Sequence, residues 1–367
     1  MKKILYLSNV DWNWIKQRPQ FIAEGLSSNF EVLVLYQYRY GRKGFQKRNN
    51  EGMTTKRIYV IPRIDRYRII SSLNDLIRKA AAAYHIIRFK PDIIFATLPD
   101  QIKMIPEFYR GKVLYDCLDD HMAIASLSWK KKLIHKDEMQ LCKRAETILC
   151  SSTNLRTVIC SRYSKELEKK ITIIRNGYDG EKVELTNQKR CYDGEDSKEL
   201  KLCYFGTISD WFDFDMLLES IKRNEKLHYY LYGPITGGSF PHNSNIKYMG
   251  TIEHSELYQE TSGYDGFIMP FKIDDIVRSV DPVKLYEYIN YGKNILCVQY
   301  EEVDRFGDFV FFYSDFDSFM KGTEALQEGT LKYTLSQRDE FLSQNSWSER
   351  VAMIEKLITA SAERNPE

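Results

Sequence analysis

Residues 277–293 read VRSVDPVKLYEYINYGK and predict a short helix that leads directly into a buried strand. Pro282 suits the first helical turn, with Asp281 as its expected N-cap, and Gly292 suits the helix end. The apolar run Asn294–Val298 follows and has the composition of a strand buried on both faces. A helix that leads into such a strand is typical of a parallel α/β sheet.

The same alternation extends along the chain. Short β-branched and aromatic runs alternate with helical periodicity, which predicts βαβ units and doubly wound parallel sheets of the α/β class. The strands predicted in the first half are Lys3–Ser8, Glu31–Tyr36, Arg57–Pro62, Asp92–Thr97, Lys112–Cys117, Thr147–Ser151 and Lys170–Arg175. Those predicted in the second half are Lys201–Phe205, His228–Tyr232, Ile246–Met249, Gly266–Pro270 and Asn294–Val298.

The length of 367 residues suits two domains rather than one. Residues 178–199 are polar and poor in periodicity, so they are the expected linker. We expect two doubly wound domains that face a cleft, with ligands at the carboxyl ends of the strands. The expected division is 1–177 for an N-terminal Rossmann-like domain, 178–199 for the linker, 200–345 for a C-terminal Rossmann-like domain and 346–367 for a C-terminal helix.

The two halves of the chain carry opposite charge. Residues 1–176 contain 33 Lys and Arg against 17 Asp and Glu, a balance of +16. Residues 177–367 contain 20 against 34, a balance of −14, and the two balances sum to the +2 of the whole chain. The basic half should attract anionic lipid, phosphate or nucleic acid, and the acidic half should not.

Basic residues of the first half cluster in three segments, Arg39–Arg48, Arg57–Arg68 and Lys130–Arg144. The third segment is a predicted helix with an apolar stripe at Leu133, Ile134 and Leu141. That composition suits a helix lying on anionic headgroups, and a solvated protein surface is the alternative. No apolar run approaches the ~18 residues that span a bilayer, so any membrane contact is expected to be peripheral.

Composition also bounds the compartment and the cofactors. The seven cysteines form no CxxC pair, which favours reduced thiols and a cytoplasmic protein. The N-terminal sequence MKKILYLSNVDW predicts a first strand rather than a signal peptide. The six histidines lack metal-ligand spacing, so neither a metal nor another cofactor is expected. The expected location is the cytoplasm, peripheral on the inner face of the cell membrane.

Lys284 and Glu287 are three residues apart and share one face near the N-terminus of the predicted helix. A lysine beside free backbone N–H groups suits a diphosphate. A carboxylate one turn further along can accept hydrogen bonds from the vicinal hydroxyls of a ribose. A capped surface helix with an ordinary ion pair is the alternative reading of the same spacing.

The string P-V-K-L-Y-E-Y-x-x-Y-G-K resembles the nucleotide-binding helix of GT-B glycosyltransferases, and more closely that of teichuronic-acid and exopolysaccharide glycosyltransferases. Five further segments resemble this family and follow its order, namely Trp14–Gln20, Leu114–His121, Arg175–Asp179, Tyr204–Trp211 and Leu231–Pro234. The resemblance implies the GT-B fold, two Rossmann-like domains with a C-terminal helix that packs back on the N-terminal domain.

The resemblance also implies roles for single residues. Lys284 would contact the diphosphate and Glu287 the ribose. The other donor-binding residues would be Gly206, Thr207, Gly233, Pro234, Pro270, Phe271, Arg278 and Leu285. For Arg278, a plain surface position is the alternative. Many retaining GT-B enzymes have a glutamate eight residues before the ribose-binding one, and this chain has Ser279 there.

The segment Leu118–His121 follows a predicted strand and resembles the base-bearing loop of xanthan-type glucuronosyltransferases. By that match Asp119 would be the general base that takes the proton of the attacking hydroxyl. Asp120 and His121 would orient it or bind sugar hydroxyls. A helix cap is the alternative for either aspartate, and Asp116, inside the strand, is expected to be structural.

The acceptor side would lie where the first strand meets its helix, at Trp12, Gln17 and Arg18. Packing is the alternative for the aromatic residues and is favoured for Trp14. The resemblance thus implies an enzyme of the hexosyltransferase type. It would move a sugar from a UDP-, GDP- or dTDP-linked donor to a lipid-linked or oligosaccharide acceptor in cell-surface polysaccharide biosynthesis.

The stereochemistry and two rival functions stay open. The missing glutamate at Ser279 favours inversion over retention. A nucleotide-sugar epimerase of the same two-domain design is the enzyme alternative, and a non-catalytic carbohydrate-assembly subunit is the other. A nucleic-acid partner is not expected, because it would leave the acidic half and the Lys284 helix unexplained.

Overall fold

The computed structural model of the chain describes residues 1–8, 10–13, 16–38, 52–61, 67–184 and 199–363. The chain divides into two compact units. Unit 1 comprises Met1–Gly177 together with Trp347–Glu367, and unit 2 comprises Tyr178–Ser346. Residues 185–198 of the expected linker lie outside the described residues. Among the described residues, no helix combines the length and the hydropathy that crossing a membrane requires.

Unit 1 is built on a parallel sheet whose strands are joined by crossover connections. Its strands are β1 (Lys3–Ser8), β2 (Glu31–Tyr38), β3 (Met53–Tyr59), β4 (Ile93–Ala96), β5 (Lys112–Cys117), β6 (Thr147–Cys150) and β7 (Ile171–Ile173). In the described part of the chain their order is β3-β2-β1-β4-β5-β6-β7, so the order reverses between β1 and β4. A doubly wound sheet binds its ligands at the carboxyl ends of its strands, near the point where the strand order reverses.

The helices of unit 1 cover both faces of this sheet, and each face has its own apolar core. They are α1 (Arg18–Leu26), α2 (Arg68–Phe89), α3 (His121–Ile124), α4 (Ser128–Arg144) and α5 (Thr153–Arg162). Two 3₁₀ helices, Pro99–Met104 and Lys165–Lys170, complete the connections. The apolar face of α4 does not form the predicted surface stripe, because Leu141 is fully buried in the core under the helix.

Unit 2 repeats the design with a second parallel sheet. Its strands are β8 (Leu200–Phe205), β9 (Leu227–Tyr232), β10 (Ile246–Gly250), β11 (Gly266–Met269), β12 (Asn294–Val298) and β13 (Val310–Tyr313). Their order in the described residues is β10-β9-β8-β11-β12-β13. The helices are α6 (Phe214–Arg223), α7 (Leu257–Thr261), α8 (Asp275–Arg278), α9 (Val283–Asn290), α10 (Phe316–Glu328) and α11 (Leu335–Gln344), with 3₁₀ helices at His254–Glu256 and Glu301–Phe306.

The last helix, α12 (Trp347–Glu363), returns to unit 1 and packs on α1. The rings of Trp347 and Phe21 stack with their centroids 4.9 Å apart. Gly25 lies so close to Val351 that any side chain at this glycine would displace the valine. The α/β class, the two parallel-sheet domains and the return of the C-terminal helix are therefore confirmed.

Two elements of unit 2 lie where the sequence pattern predicts none. Strand β13 has only four residues and joins the sheet edge through its pairing with β12. Helix α11 has a polar sequence and is held by Arg338, which donates to the carbonyl oxygens of Val183 and Asn290. Both elements depend on distant partners, so local periodicity carries little sign of them.

Candidate active site

Helix α9 of unit 2 starts without a side-chain cap, and this corrects one prediction. The N-cap is Pro282 rather than Asp281. The Asp281 side chain is buried and forms an ion pair with Arg305. The predicted end is confirmed, since Gly292 adopts a left-handed φ of 65° and its N–H bonds the carbonyl of Ile289.

Two glycines bring the ends of β8 and β9 against the side chain of Lys284. Gly206 has a φ of 142° and Gly233 a φ of 125°, backbone angles that favour glycine. A Cβ atom at Gly206 would overlap the Cε atom of Lys284, and one at Gly233 would overlap the backbone of Gly206. The strand ends and the start of α9 thus form one closely packed corner at the carboxyl edge of the sheet.

The ammonium group of Lys284 is poorly compensated in this corner. Its Nζ atom lies 5.8 Å from the ring centroid of Tyr204, and no hydrogen bond or ion pair engages it within the described residues. Burial lowers the pKa of Lys284, and the charge of Glu287 acts in the opposite direction. An anion bound at this corner would supply the missing counter-charge.

Glu287 lies one turn along α9, half-buried, and contacts a residue that the sequence analysis missed. Its Oε1 atom is 2.8 Å from Nε2 of His254. This hydrogen bond raises the pKa of His254 above its ordinary value of 6.5, against the effect of burial. His254 opens a 3₁₀ helix 33 residues earlier in the chain, so no spacing pattern connects the two residues.

The other predicted donor-binding residues occupy varied environments in unit 2. Thr207 is half-buried and its carbonyl accepts the hydroxyl of Tyr204 at 2.9 Å, whereas Pro234 is exposed just after β9. Pro270 is buried, and the half-buried Phe271 ring lies 5.9 Å from the Tyr204 ring. The side chain of Leu285 is fully buried in the core, which leaves only its backbone for ligand contact.

The end of α8 holds Arg278 and the serine that replaces the expected glutamate. Arg278 is exposed. Ser279 is buried, and its hydroxyl donates to the carbonyl of Asp275 at 3.2 Å. The serine therefore serves the local backbone, and a sugar contact like that of a glutamate is not available at this position.

In unit 1, Asp119 follows the end of β5 and is half-buried. Burial raises the pKa of this carboxyl group, and the charges of Asp116 and Asp120 add to the rise. His121 and Arg18 act against it. A carboxylate with a raised pKa has the property that a general base needs near neutral pH.

Its neighbour Asp120 is committed to the fold. Its side chain caps α3 by accepting the N–H groups of Met122 and Ala123, both at 3.1 Å. It also pairs with Arg162 at 2.6 Å. Burial alone raises the pKa of Asp120, but Arg162 and the N–H groups of Ala123 and Met122 together hold the pKa below its ordinary value.

His121 begins α3 beside these carboxylates. Its Nε2 atom is buried and has no hydrogen-bond partner, as far as the described residues extend. A buried ring nitrogen without a partner is uncommon and leaves a position at which a further polar group can bind.

The predicted acceptor-side residues mainly build unit 1. Arg18 is buried and bonds both carboxylate oxygens of Asp116, at 2.8 to 3.1 Å, which makes Asp116 structural as expected. The Trp12 side chain lies in the core. Gln17 is exposed at the N-cap of α1, and Trp14 lies outside the described residues.

Comparison with known proteins decides the fold. No family model matches the chain. The structure superposes on sucrose-phosphate synthase from Thermosynechococcus elongatus with a TM-score of 0.73 at 12% identity, covering 100% of both chains. It superposes on Anabaena HepE in complex with UDP-glucose with a TM-score of 0.67 at 12% identity, covering 98% of this chain and 100% of that one. The chain has the GT-B fold.

The sequence likeness is consistent with this GT-B fold. A Bacillus subtilis (strain 168) protein, "Putative teichuronic acid biosynthesis glycosyltransferase TuaH", is 26% identical over 200 residues. The match covers 50% of this chain and 50% of that protein, so it spans about half the length of the curated relative. These findings confirm the predicted resemblance to GT-B glycosyltransferases.

Within the GT-B fold of this chain, each unit holds one set of predicted site residues. The predicted donor contacts belong to unit 2, where Gly206, Gly233, Lys284 and Glu287 lie together at the strand ends. The predicted catalytic and acceptor contacts belong to unit 1. Among the described residues predicted for these two roles, Asp119 is the one that combines partial exposure with a raised pKa.

Proposed function

We propose that this chain is a glycosyltransferase that moves a sugar from a nucleoside-diphosphate-sugar to a hydroxyl group of a lipid-linked glycan. The observation that carries the proposal is the corner of unit 2 where Lys284 lies against Gly206, with its ammonium group in need of a counter-charge. A diphosphate meets that need and can bond N–H groups at the start of α9, whose N-cap is a proline that gives no side-chain cap. Glu287, one turn further, suits the ribose hydroxyls.

The chemistry of the donor is a nucleotide linked through two phosphates. Lys284 would stabilise the negative charge that grows on the leaving diphosphate as the sugar departs. The structural likeness to HepE, whose structure contains UDP-glucose, supports a donor of this class. UDP-, GDP- and dTDP-linked sugars all share these features, so the proposal covers the three.

Asp119 is the proposed general base. The acceptor oxygen attacks the anomeric carbon, the bond from that carbon to the diphosphate breaks, and the acceptor proton passes to Asp119. The raised pKa of Asp119, caused first by burial, supports its role as the group that accepts this proton. Ser279 in place of a glutamate supports a single displacement with inversion.

The charge of the chain and its curated relative support the proposed acceptor and location. The basic balance of residues 1–176 supports contact with the anionic inner face of the cell membrane, where a lipid-linked glycan would be presented. The name of TuaH supports a role in the biosynthesis of a cell-surface polysaccharide.

The decisive experiment has two stages. Purified chain is first screened by thermal shift with UDP-, GDP- and dTDP-sugars, because a ligand of the native state raises the unfolding temperature. Nucleoside diphosphate release is then measured with and without lipid-linked acceptor, in EDTA because the proposed reaction uses no metal. Release that requires acceptor, with an inverted anomeric centre by NMR, is the expected result. An altered free nucleotide-sugar would indicate an epimerase, and binding without turnover an assembly subunit.

A further inference from the structure

Helix α2 of unit 1 presents five of its large apolar side chains to the outside, whereas Ile86 is buried in the core. The 22 residues from Arg68 to Phe89 extend over about 33 Å. The exposed fractions of its apolar side chains are 85% for Ile69, 46% for Leu73, 63% for Leu76, 58% for Tyr84 and 62% for Ile87. Their successive spacings of four, three, eight and three residues place them in one stripe along the helix, the outer stripe.

The opposite side of α2 is held to the protein by polar contacts in its N-terminal half and by Ala82 and Ile86 further along. Asn74 is buried and its side chain bonds both the N–H and the carbonyl of Ile61, at 2.8 and 2.9 Å. Arg78 is buried and forms ion pairs with Asp75 and Asp100. Polar groups thus face inward at this end of the helix while Ile69, Leu73 and Leu76 face outward, an inversion that folding of the unit does not require.

Basic side chains accompany the outer stripe. Lys79 and Arg88 lie on either side of it by helical spacing, and both are exposed. The charges of Lys56 and Arg88 lower the pKa of His85, after the larger effect of burial, which places both cations near the C-terminal part of α2. The one acidic residue in the α2 sequence, Asp75, is paired with Arg78 and Lys103.

The exposed apolar stripe and its flanking cations favour one partner, an anionic lipid surface. A second copy of the chain would bring two cationic helix faces together, which opposes pairing. An anionic lipid surface accepts apolar side chains at the level of the headgroups and attracts the flanking cations. The helix α4, which the sequence favoured for this role, is less suited, because Leu141 lies in the core and Leu133 and Ile134 are half-buried.

We propose that α2 lies in the interface of an anionic membrane, with the outer stripe inserted among the headgroups and Lys79 and Arg88 on their phosphates. The inference rests on the proposed function, because α2 would hold unit 1 at the membrane that carries a lipid-linked acceptor. It names a surface that the sequence analysis did not single out.

The test is vesicle sedimentation of the full chain with phosphatidylcholine alone and with added phosphatidylglycerol. We expect binding only to the anionic vesicles, and weaker binding at high salt. The triple variant Ile69→Ser, Leu76→Ser, Ile87→Ser should bind at least about tenfold more weakly, because the inserted apolar area is lost. The double variant Lys79→Glu, Arg88→Glu should also bind more weakly, mainly at low salt.

The matched control replaces exposed apolar residues that lie outside the outer stripe. Leu335→Ser with Met353→Ser alters two side chains that are 39% and 38% exposed and should leave vesicle binding unchanged. All variants alter exposed side chains, so their unfolding temperatures should stay near that of the wild type.

Three outcomes would overturn the inference. The triple variant could sediment with anionic vesicles like the wild type. The wild type could bind neither vesicle. It could also form a dimer without lipid that the triple variant abolishes, which would make a second copy the occupant. Nucleotide-sugar binding is measured on the same proteins without vesicles, so failure of the proposed function would be seen separately.

Discussion

The two sets of site residues differ in how far their charges are already compensated. In unit 2, Lys284 lies against Gly206, with no anionic partner close enough to pair with it in the described chain. In unit 1, Arg18 is bound by Asp116 and Asp120 by Arg162, and Asp119 is the carboxylate left with a raised pKa. Residue type alone marks all of them as candidates, whereas compensation separates those that can act on a ligand from those that maintain the fold.

The largest expected effect of a single substitution is at Asp119. Asp119→Asn should reduce transfer by about 100- to 10,000-fold, because no group would take the acceptor proton. Donor affinity should not change. The wild-type rate should fall as the pH drops through the raised pKa of Asp119. Steady-state rates across pH, with donor binding by calorimetry, provide the measurement.

The same variant has an opposite effect on stability. A raised carboxyl pKa means that the folded state favours the neutral form, so the ionised Asp119 lowers stability at neutral pH. This cost develops as the pH rises from the ordinary value of 3.8 through the folded pKa. Asp119→Asn should therefore unfold at a higher temperature at neutral pH, whereas Asp120→Asn should unfold at a lower one. Equal shifts for the two variants would contradict the contrast between them.

A second prediction concerns the buried pair in unit 1. Arg18→Ala should lower the free energy of unfolding by about 3–5 kcal/mol, because it leaves the carboxylate of Asp116 buried and uncompensated. Urea denaturation measures the change. Glu31→Gln is the control, since its ion pair with Lys3 is exposed and should contribute less than about 1 kcal/mol. If Arg18→Ala folds like the wild type and only transfer falls, Arg18 acts on the acceptor.

A third prediction concerns the role of Lys284 in donor binding. Lys284→Ala should weaken nucleotide-sugar binding by about 10- to 150-fold, since a hydrogen bond to a charged group contributes roughly 1.5–3 kcal/mol. Removing an ammonium group from a site that lowers its pKa should leave stability unchanged or higher. Lys272→Ala is the control, because Lys272 pairs with the exposed Asp215. Unchanged donor affinity in Lys284→Ala would exclude the corner at Gly206 and Lys284 as the diphosphate site.

The smallest expected effect belongs to His254. Its pKa is raised by Glu287, so the stabilisation from this pair is fully present below the ordinary value of 6.5 and is lost as the pH rises through the folded pKa. The effect should stay below about 1 kcal/mol, since the His254 side chain is 69% exposed. Thermal unfolding from pH about 6 to about 8 should show this slope in the wild type and lose it in His254→Gln and Glu287→Gln. A slope that survives both substitutions would exclude this pair as its source.

Much of the fold could be predicted because the apolar periodicity within each segment indicates its helices and strands. Strands such as Lys3–Ser8, Lys112–Cys117 and Asn294–Val298 agree with the structure to the residue. The strand β13 and the helix α11 could not be predicted, since they depend on pairing with β12 and on the bonds of Arg338.

The candidate site divides in the same way. The spacing of Lys284 and Glu287 could be read directly, because one helical turn is a local property. The partners of Asp281 and Glu287 could not, since Arg305 and His254 are 24 and 33 residues away in the chain. An N-cap was expected at Asp281, but the N-cap is Pro282, and Asp281 forms an ion pair with Arg305.

The sequence by itself determined the α/β class, the two sheets and the helix that carries Lys284, since hydrophobic periodicity and helix-ending residues act over a few positions. Only the tertiary structure decided which charged side chains are compensated and which apolar ones stay outside. Asp120 and Arg18 are paired, no ion pair engages Asp119 or Lys284 in the part of the chain that the structure describes, and the stripe from Ile69 to Ile87 points outward. Burial and ion pairing depend on neighbours that the chain brings together only when it folds.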